Sequence, residues 1–374
     1  MTSPFLALPG AVESIDRDAG VAAHYGNPVV EQRELEAGRA IVDLSNRSVL
    51  SITGPDRLSW LNSITSQNLL GLRAGESSET LLLDATGRLE YAVRVVEDGE
   101  TLWLLVERDE ADGLLAWLQS MRFMLRVELA DRTAELATIG SLGSPALPIA
   151  APDGVPLVWN DPWREVAPGG HQYAIGEHPG SGWTWSETLI PRDALPSVVA
   201  RVRSGEFAVA GLLAVEALRI AAWRPRFATE VDEKTIPHEL DWLRTAVHLS
   251  KGCYRGQETV AKVHNLGHPP RRLVMLHLDG SEGVLPVRGS VVKVDVGEDR
   301  REVGLVTSSA LHHELGPIAL AVVKRATDPD ATLLVDTGEL TVAAAQVVVV
   351  PPGAGAEAHV PRLPRLGAVT RPTR

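Results

Sequence analysis

Lys251-Gly252-Cys253-Tyr254-Arg255-Gly256-Gln257-Glu258 sets a thiol, a phenol, an amide, a carboxylate and two cations between two glycines. A core segment rarely carries that set, because each polar group needs a buried partner. Glycine at both flanks allows positive φ or close approach of another backbone. Tyr254, Gln257 and Glu258 offer donors and acceptors able to read a flat, amide-rich ring. Lys251 and Arg255 favour a thiolate at Cys253 electrostatically. The stretch reads as a loop that meets a ligand, not as a turn around a packed cysteine.

Upstream of it the chain mixes helices and hairpins. The periodicity predicts a helix over Glu34–Leu44, a strand over Ser48–Thr53 and a helix opened by Gly54-Pro55-Asp56. Strands follow at Thr80–Asp84 and Leu89–Val96, and Asp98-Gly99 turns the second into Thr101–Glu107. A helix over Asp109–Met121 precedes strands near Phe123–Leu129 and Ala134–Gly140. Further helices are expected at Pro191–Arg203 and Leu212–Trp223, and Phe227–Leu266 reads as a polar, loop-like region. Beyond Arg271 the pattern changes to short strands separated by turns, the mark of a small all-β barrel or sandwich. The order favours an α+β fold over a doubly wound parallel sheet. Four regions follow: an irregular segment 1–30; a region 31–268 of two intertwined α+β subdomains with a connection near 141–170; a barrel 269–350; and a disordered tail 351–374.

Composition narrows the function. The 374 residues are 44% hydrophobic and 22% charged, ordinary for a globular protein and too many for one compact core. A net charge of −12 argues against general nucleic-acid binding. There is no apolar run of membrane-spanning length and no signal peptide, so the cytoplasm is the expected location. One cysteine excludes a metal or iron–sulfur centre built from several thiolates of this chain, and no metal site is expected.

Other groups are weaker candidates. His238 lacks a second histidine at helical spacing, and with His248 it reads as a hydrogen-bonding loop residue. His312-His313-Glu314 reads as a solvated turn. Lys262, His264, Asn265, Arg271 and Arg272 form a basic cluster suited to an anionic tail. Glu216 and Arg219 are spaced to pair on a helix surface, and Trp223 or Trp242 is able to wall a ring.

The Lys251–Glu258 loop resembles the signature of the YgfZ-type folate-binding proteins, relatives of the glycine cleavage T-protein (aminomethyltransferase). Asp43-Leu44-Ser45, Leu50–Asp56, Leu61–Asn68 and Leu83–Leu89 resemble that family's N-terminal segments. Glu216–Ile220, Thr235-Ile236-Pro237, Gly304–Ser308 and Gly316–Leu320 follow in the family's order. The resemblance implies a ring of two α/β sheet domains and a C-terminal all-β barrel around a tetrahydrofolate cavity. It implies a cytoplasmic accessory role in iron–sulfur cluster assembly or repair, with folate and iron–sulfur client or assembly proteins as partners. Cys253 would be the reactive thiol, helped by Lys251 and Glu258; Lys251, Tyr254, Arg255, Gln257, Glu90, Arg219 and Trp223 would contact folate. T-proteins carry paired aspartates where this chain has Glu90 and Tyr91, and a pterin-holding glutamate where it has Ala221. A folate-dependent aminomethyltransferase or demethylase that makes 5,10-methylenetetrahydrofolate is the alternative.

Overall fold

A computed structural model describes residues 2–281, 283–296, 299–338 and 340–359. Two five-stranded sheets and a closed six-stranded barrel make up the α+β fold. Across the first sheet the strands run Val158–Asn160, Ser186–Pro191, Leu136–Ser141, Ala40–Asp43 and Ala208–Ala210. The second runs Ser77–Leu83, Leu89–Glu97, Thr101–Val106, Ser48–Thr53 and Glu128–Asp131. The chain crosses between the sheets at Leu44–Arg47 and again after Asp131, so neither sheet is a continuous piece of sequence. The barrel is Arg271–Leu278, Gly316–Lys324, Asp299–His312, Val291–Val296, Leu333–Asp336 and Thr341–Val348, closed by pairing of the first and last.

Alternation along the strands explains the layers. Side chains at successive strand positions face opposite sides. Leu81, Leu83, Trp103 and Leu105 therefore face a central core, while Leu82, Leu102 and Leu104 pack against Leu114 and Leu118 of the helix Arg108–Ser120. In the first sheet Val42 joins the central core, and Ile41, Ile139 and Ile190 lie under Val198 of the helix Leu195–Arg203. In the barrel Val274 and Leu276 fill the interior, while Leu273 and Met275 face the central core. One apolar cluster thus joins both sheets, the barrel and the helix Leu212–Ala221. No helix among the described residues is long and apolar enough to cross a membrane.

Several local expectations are corrected. The first long helix is Pro28–Glu36, started by Asn27, whose side chain accepts from Val30 N, and by Pro28 at its first turn. The residues after it, expected to be helical, form the strand Ala40–Asp43. Segment 1–30 is not wholly irregular: Val12–Glu13 pairs with Ala22–His24. Phe123 and Met124 lie in an exposed turn, and the strand begins at Glu128. The stretch 141–170 contributes an edge strand and the fully buried Trp159 and Trp163. Phe227–Leu266 is largely interior: His238, Glu239 and Asp241 are fully buried. His312 is buried, and His313 Nε2 lies 3.0 Å from Glu36, so that segment is no solvated turn. Residues 351–359, expected to be disordered, dock through Glu357 N to His264 O and Ala358 N to Asn265 O. The rest of the expected tail, 360–374, lies outside the described residues.

Candidate functional site

Two glycines fix the cysteine loop. Gly256 has φ +84°, and a Cβ there would stand 2.6 Å from Asp84 O; a Cβ on Gly87 would stand 2.8 Å from Thr259. The turn Asp84–Arg88 and the start of the helix Gln257–Leu266 therefore touch backbone to backbone. Asp84 holds its own turn by accepting from Thr86 N, Thr86 Oγ1 and Arg88 N.

Lys251 is the loop's anchor. Its ammonium donates to Asn62 O at 2.6 Å, Thr65 O at 2.7 Å and Gln67 O at 2.6 Å, using all three donors on the chain that leaves the helix Arg57–Ile64. Burial draws its pKa down to about 8, while the three carbonyls favour the charged form. All three of its donors are thus taken up by main-chain carbonyls. Tyr254 is buried under the Lys251 ammonium, in the central core, and burial pushes its hydroxyl pKa up. Arg255 pairs with Glu90 at 2.6 Å, and Gln257 donates to Lys251 O. Cys253 and Glu258 are exposed.

The central cavity lies elsewhere. It measures about 50 Å³ and is walled by Trp159, Trp183, Trp185, Trp242 and Phe227, with no residue of Lys251–Glu258 on its surface. Of the residues expected to contact a ligand, Arg219 alone lines it; Glu90 lies outside, and Trp223 packs edge-on against His178. The basic cluster does not converge either. Arg271 is held by Asp232 and Glu239, Arg272 is buried against Thr327 O, and His264 meets the Tyr173 hydroxyl.

Around the cavity, arginines and carboxylates interlock. Arg224 donates to Asp161 at 2.9 Å and Glu79 at 2.7 Å; Arg226 donates to Glu107 and Asp18; Arg219 to Glu216, Glu230 and Ser308; Arg47 to Glu187. Burial works to raise the pKa of Glu187, but Arg47 and Arg94 hold it below the usual carboxylate range. Three groups are left over. Arg94 makes no side-chain hydrogen bond among the described residues, but lies 3.5 Å from Glu187, 3.7 Å from Glu107 and over the Trp159 ring. Arg224 Nη1 and Glu187 Oε2 are buried without a partner. Among the described residues no cluster of His, Cys, Asp or Glu is arranged to hold a metal ion.

The sequence carries faint signals for these residues. Trp183, Trp185 and Glu187 alternate with period two, and Arg224-Pro225-Arg226 sets two cations just past a helix end. Neither pattern reveals that the residues converge, because Glu79, Arg94 and Asp161 come from three separate strand regions.

No protein-family model matches the chain. It is 26% identical over 308 residues to an aminomethyltransferase of Herpetosiphon aurantiacus, covering 80% of this chain and 82% of that one. It is 25% identical over 317 residues to an aminomethyltransferase of Rubrobacter xylanophilus, covering 83% of each. The crystal structure of glycine cleavage system aminomethyltransferase T from Bartonella henselae superposes with a TM-score of 0.72 over 93% of this chain and 95% of that one, at 18% identity. The chain has the fold of aminomethyltransferase T, and over about four-fifths of its length its sequence is similar to those of aminomethyltransferases.

Proposed function

We propose that this chain is a reduced-folate-binding accessory protein that supports iron–sulfur enzymes through Cys253, and that it does not transfer aminomethyl groups. The observation that carries this reading is the pairing of the cavity carboxylates. Glu79, Glu107, Asp161, Glu187 and Glu216 each accept from an arginine, and Glu90 is held outside by Arg255. A general base must be free to take a proton at the reacting atom, and a carboxylate held by a guanidinium is a poor one.

The donor set suits a pterin. Glu187 Oε2 is an acceptor for ring N–H groups, Arg224 Nη1 is a donor for a ring carbonyl, and Trp159 and Trp183 are flat walls. A reduced folate bound there would supply one-carbon or redox chemistry to a partner. Small-molecule sites usually measure about 300–1,000 Å³. At about 50 Å³ the cavity is smaller than a bicyclic ring, so occupancy requires its wall to move.

The accessory role draws on the exposed thiol and on the resemblance of its loop to the YgfZ signature. Clusters usually take about four protein ligands, so a single thiol can only share a cluster with a partner. Replacing Cys253 by Ala is expected to leave the fold unchanged and to lower the activity of iron–sulfur client enzymes in cells. Wild-type protein incubated with tetrahydrofolate and methylated or aminomethylated amines is expected to make no 5,10-methylenetetrahydrofolate. Formation of that product would favour the transferase reading, and full client activity with C253A would remove the thiol from the account.

A further inference from the structure

The strand Arg271–Leu278 puts residues 272, 274, 276 and 278 on one face. Val274, Leu276 and Leu278 of that face fill the barrel interior, so Arg272 enters the same interior at its end. The register agrees: Val323, itself an interior residue, lies opposite Arg272, and Gln346 lies opposite Leu276. The loop between Lys324 and Leu333 closes over this end. Arg272 Nη2 donates to Thr327 O at 2.9 Å, and Gln346 Nε2 donates to Asp328 O at 2.8 Å and Ala331 O at 3.1 Å. A guanidinium is thereby fully buried at the mouth of an apolar barrel.

Its donors are only partly used. Nη2 gives its N–H groups to Thr327 O and to Gln346 Oε1, the latter at 3.1 Å. Nε and Nη1 carry the remaining N–H groups, and both atoms are buried without a partner. Thr327 Oγ1, on the residue whose carbonyl holds Nη2, is buried without a partner too. The other buried arginines differ. Arg47, Arg219, Arg224 and Arg226 each pair with a carboxylate, and Arg244 lies in the field of Asp241. Arg272 has no ion-pair partner among the described residues, and burial alone draws its pKa down. An arginine nevertheless keeps its proton at neutral pH. A charge taken out of water without a counter-charge is costly.

We propose that this end of the barrel binds a small inorganic anion, chloride, held by Arg272 Nε and Nη1 and by the Thr327 hydroxyl. All three are donors, and an anion accepts from several at once. The unpartnered atoms are closed off from solvent, so the ligand is of single-ion size and not a phosphate ester or a peptide carboxylate. Bound there, it cancels the buried charge and holds the loop over the barrel. The site is independent of the folate reading.

The test has two parts. Urea denaturation in sodium chloride, against sodium gluconate at equal ionic strength, reads the coupling of the anion to folding. Chloride at ten times its dissociation constant is expected to raise the folded-to-unfolded ratio of wild type about elevenfold, seen as a higher urea midpoint. R272M is expected to respond equally to the two salts. Crystals of wild type grown in bromide are expected to give an anomalous peak within hydrogen-bonding distance of Arg272 Nε or Nη1, which keeps the inference testable if R272M does not fold. Equal midpoints for wild type in the two salts, a chloride response retained in R272M, or an ordered water in place of bromide would overturn it. A bromide peak without a chloride-dependent midpoint would mean binding at crystal concentration only, and overturns it as well.

Discussion

Replacing Arg226 by Met lowers the unfolding free energy by about 3–5 kcal/mol, the range for removing one partner of a buried ion pair. Arg226 joins three parts of the chain: it donates from Nε and Nη2 to Glu107, and from Nη1 and Nη2 to Asp18 of the N-terminal segment. Glu107 directly precedes the helix Arg108–Ser120, so the contact ties that helix to the loop after the helix Leu212–Ala221. Burial works to raise the Glu107 pKa, but Arg226 and Arg47 outweigh it and hold it well below the usual range. A depressed carboxylate contributes stability above its unfolded pKa and loses it as pH falls through the folded value. Without Arg226 that contribution shrinks, because the buried charge has lost its main partner. The deficit of R226M is therefore largest near neutral pH and smaller below about pH 4, where Glu107 is protonated in the unfolded chain. Urea denaturation at both pH values reads the difference directly. An R226M protein as stable as wild type at neutral pH would show that the ion network does not hold the ring of units together.

Replacing Lys251 by Met is the second large effect. Hydrogen bonds to a charged group contribute about 1.5–3 kcal/mol each. Partial exposure of Lys251 and water reaching the freed carbonyls reduce the total, so a loss of about 2–4 kcal/mol is expected. The loss appears first in the loop, because Asn62 O, Thr65 O and Gln67 O are the contacts that fix its start. Amide exchange across residues 250–258 accelerates and the urea midpoint falls. C253A, by contrast, leaves both unchanged, because its side chain is exposed. Both variants lower client activity, K251M by loosening the loop and C253A by removing sulfur. Unchanged exchange and stability in K251M would return Lys251 to a direct role at the thiol.

The period-two runs and turn signals made the second sheet legible in the sequence. Leu81-Leu82-Leu83 and Leu102–Val106 are apolar on both faces because they lie between two cores. The barrel was legible from its short strands, although Leu333–Asp336, four residues long, gave too little periodicity to find. The first sheet was not, because Val158–Asn160 and Ala208–Ala210 have three residues each and gain their pairing from distant strands. In the candidate site, the sequence pointed to the cysteine loop because its polar density is local. The cavity was hidden for the opposite reason. Apart from Arg219, its arginines and carboxylates carry no local signal, and only tertiary pairing such as Arg224 with Glu79, far apart in the chain, takes them inside. The anchoring of Lys251 was not legible, because its partners are main-chain carbonyls, which leave no mark on residue type.

Calorimetric titration of tetrahydrofolate into wild type and E187Q tests the central claim most directly. E187Q keeps an oxygen for Arg47, so the fold is expected to survive at reduced stability, since Arg47 and Arg94 lose a buried counter-charge, while the charge of the unpartnered oxygen is removed. Saturable binding of one folate per chain is expected, weakened at least about tenfold in E187Q by loss of a charge-assisted bond in a desolvated site. No saturable heat with folded wild type, or equal affinity in E187Q, would contradict it.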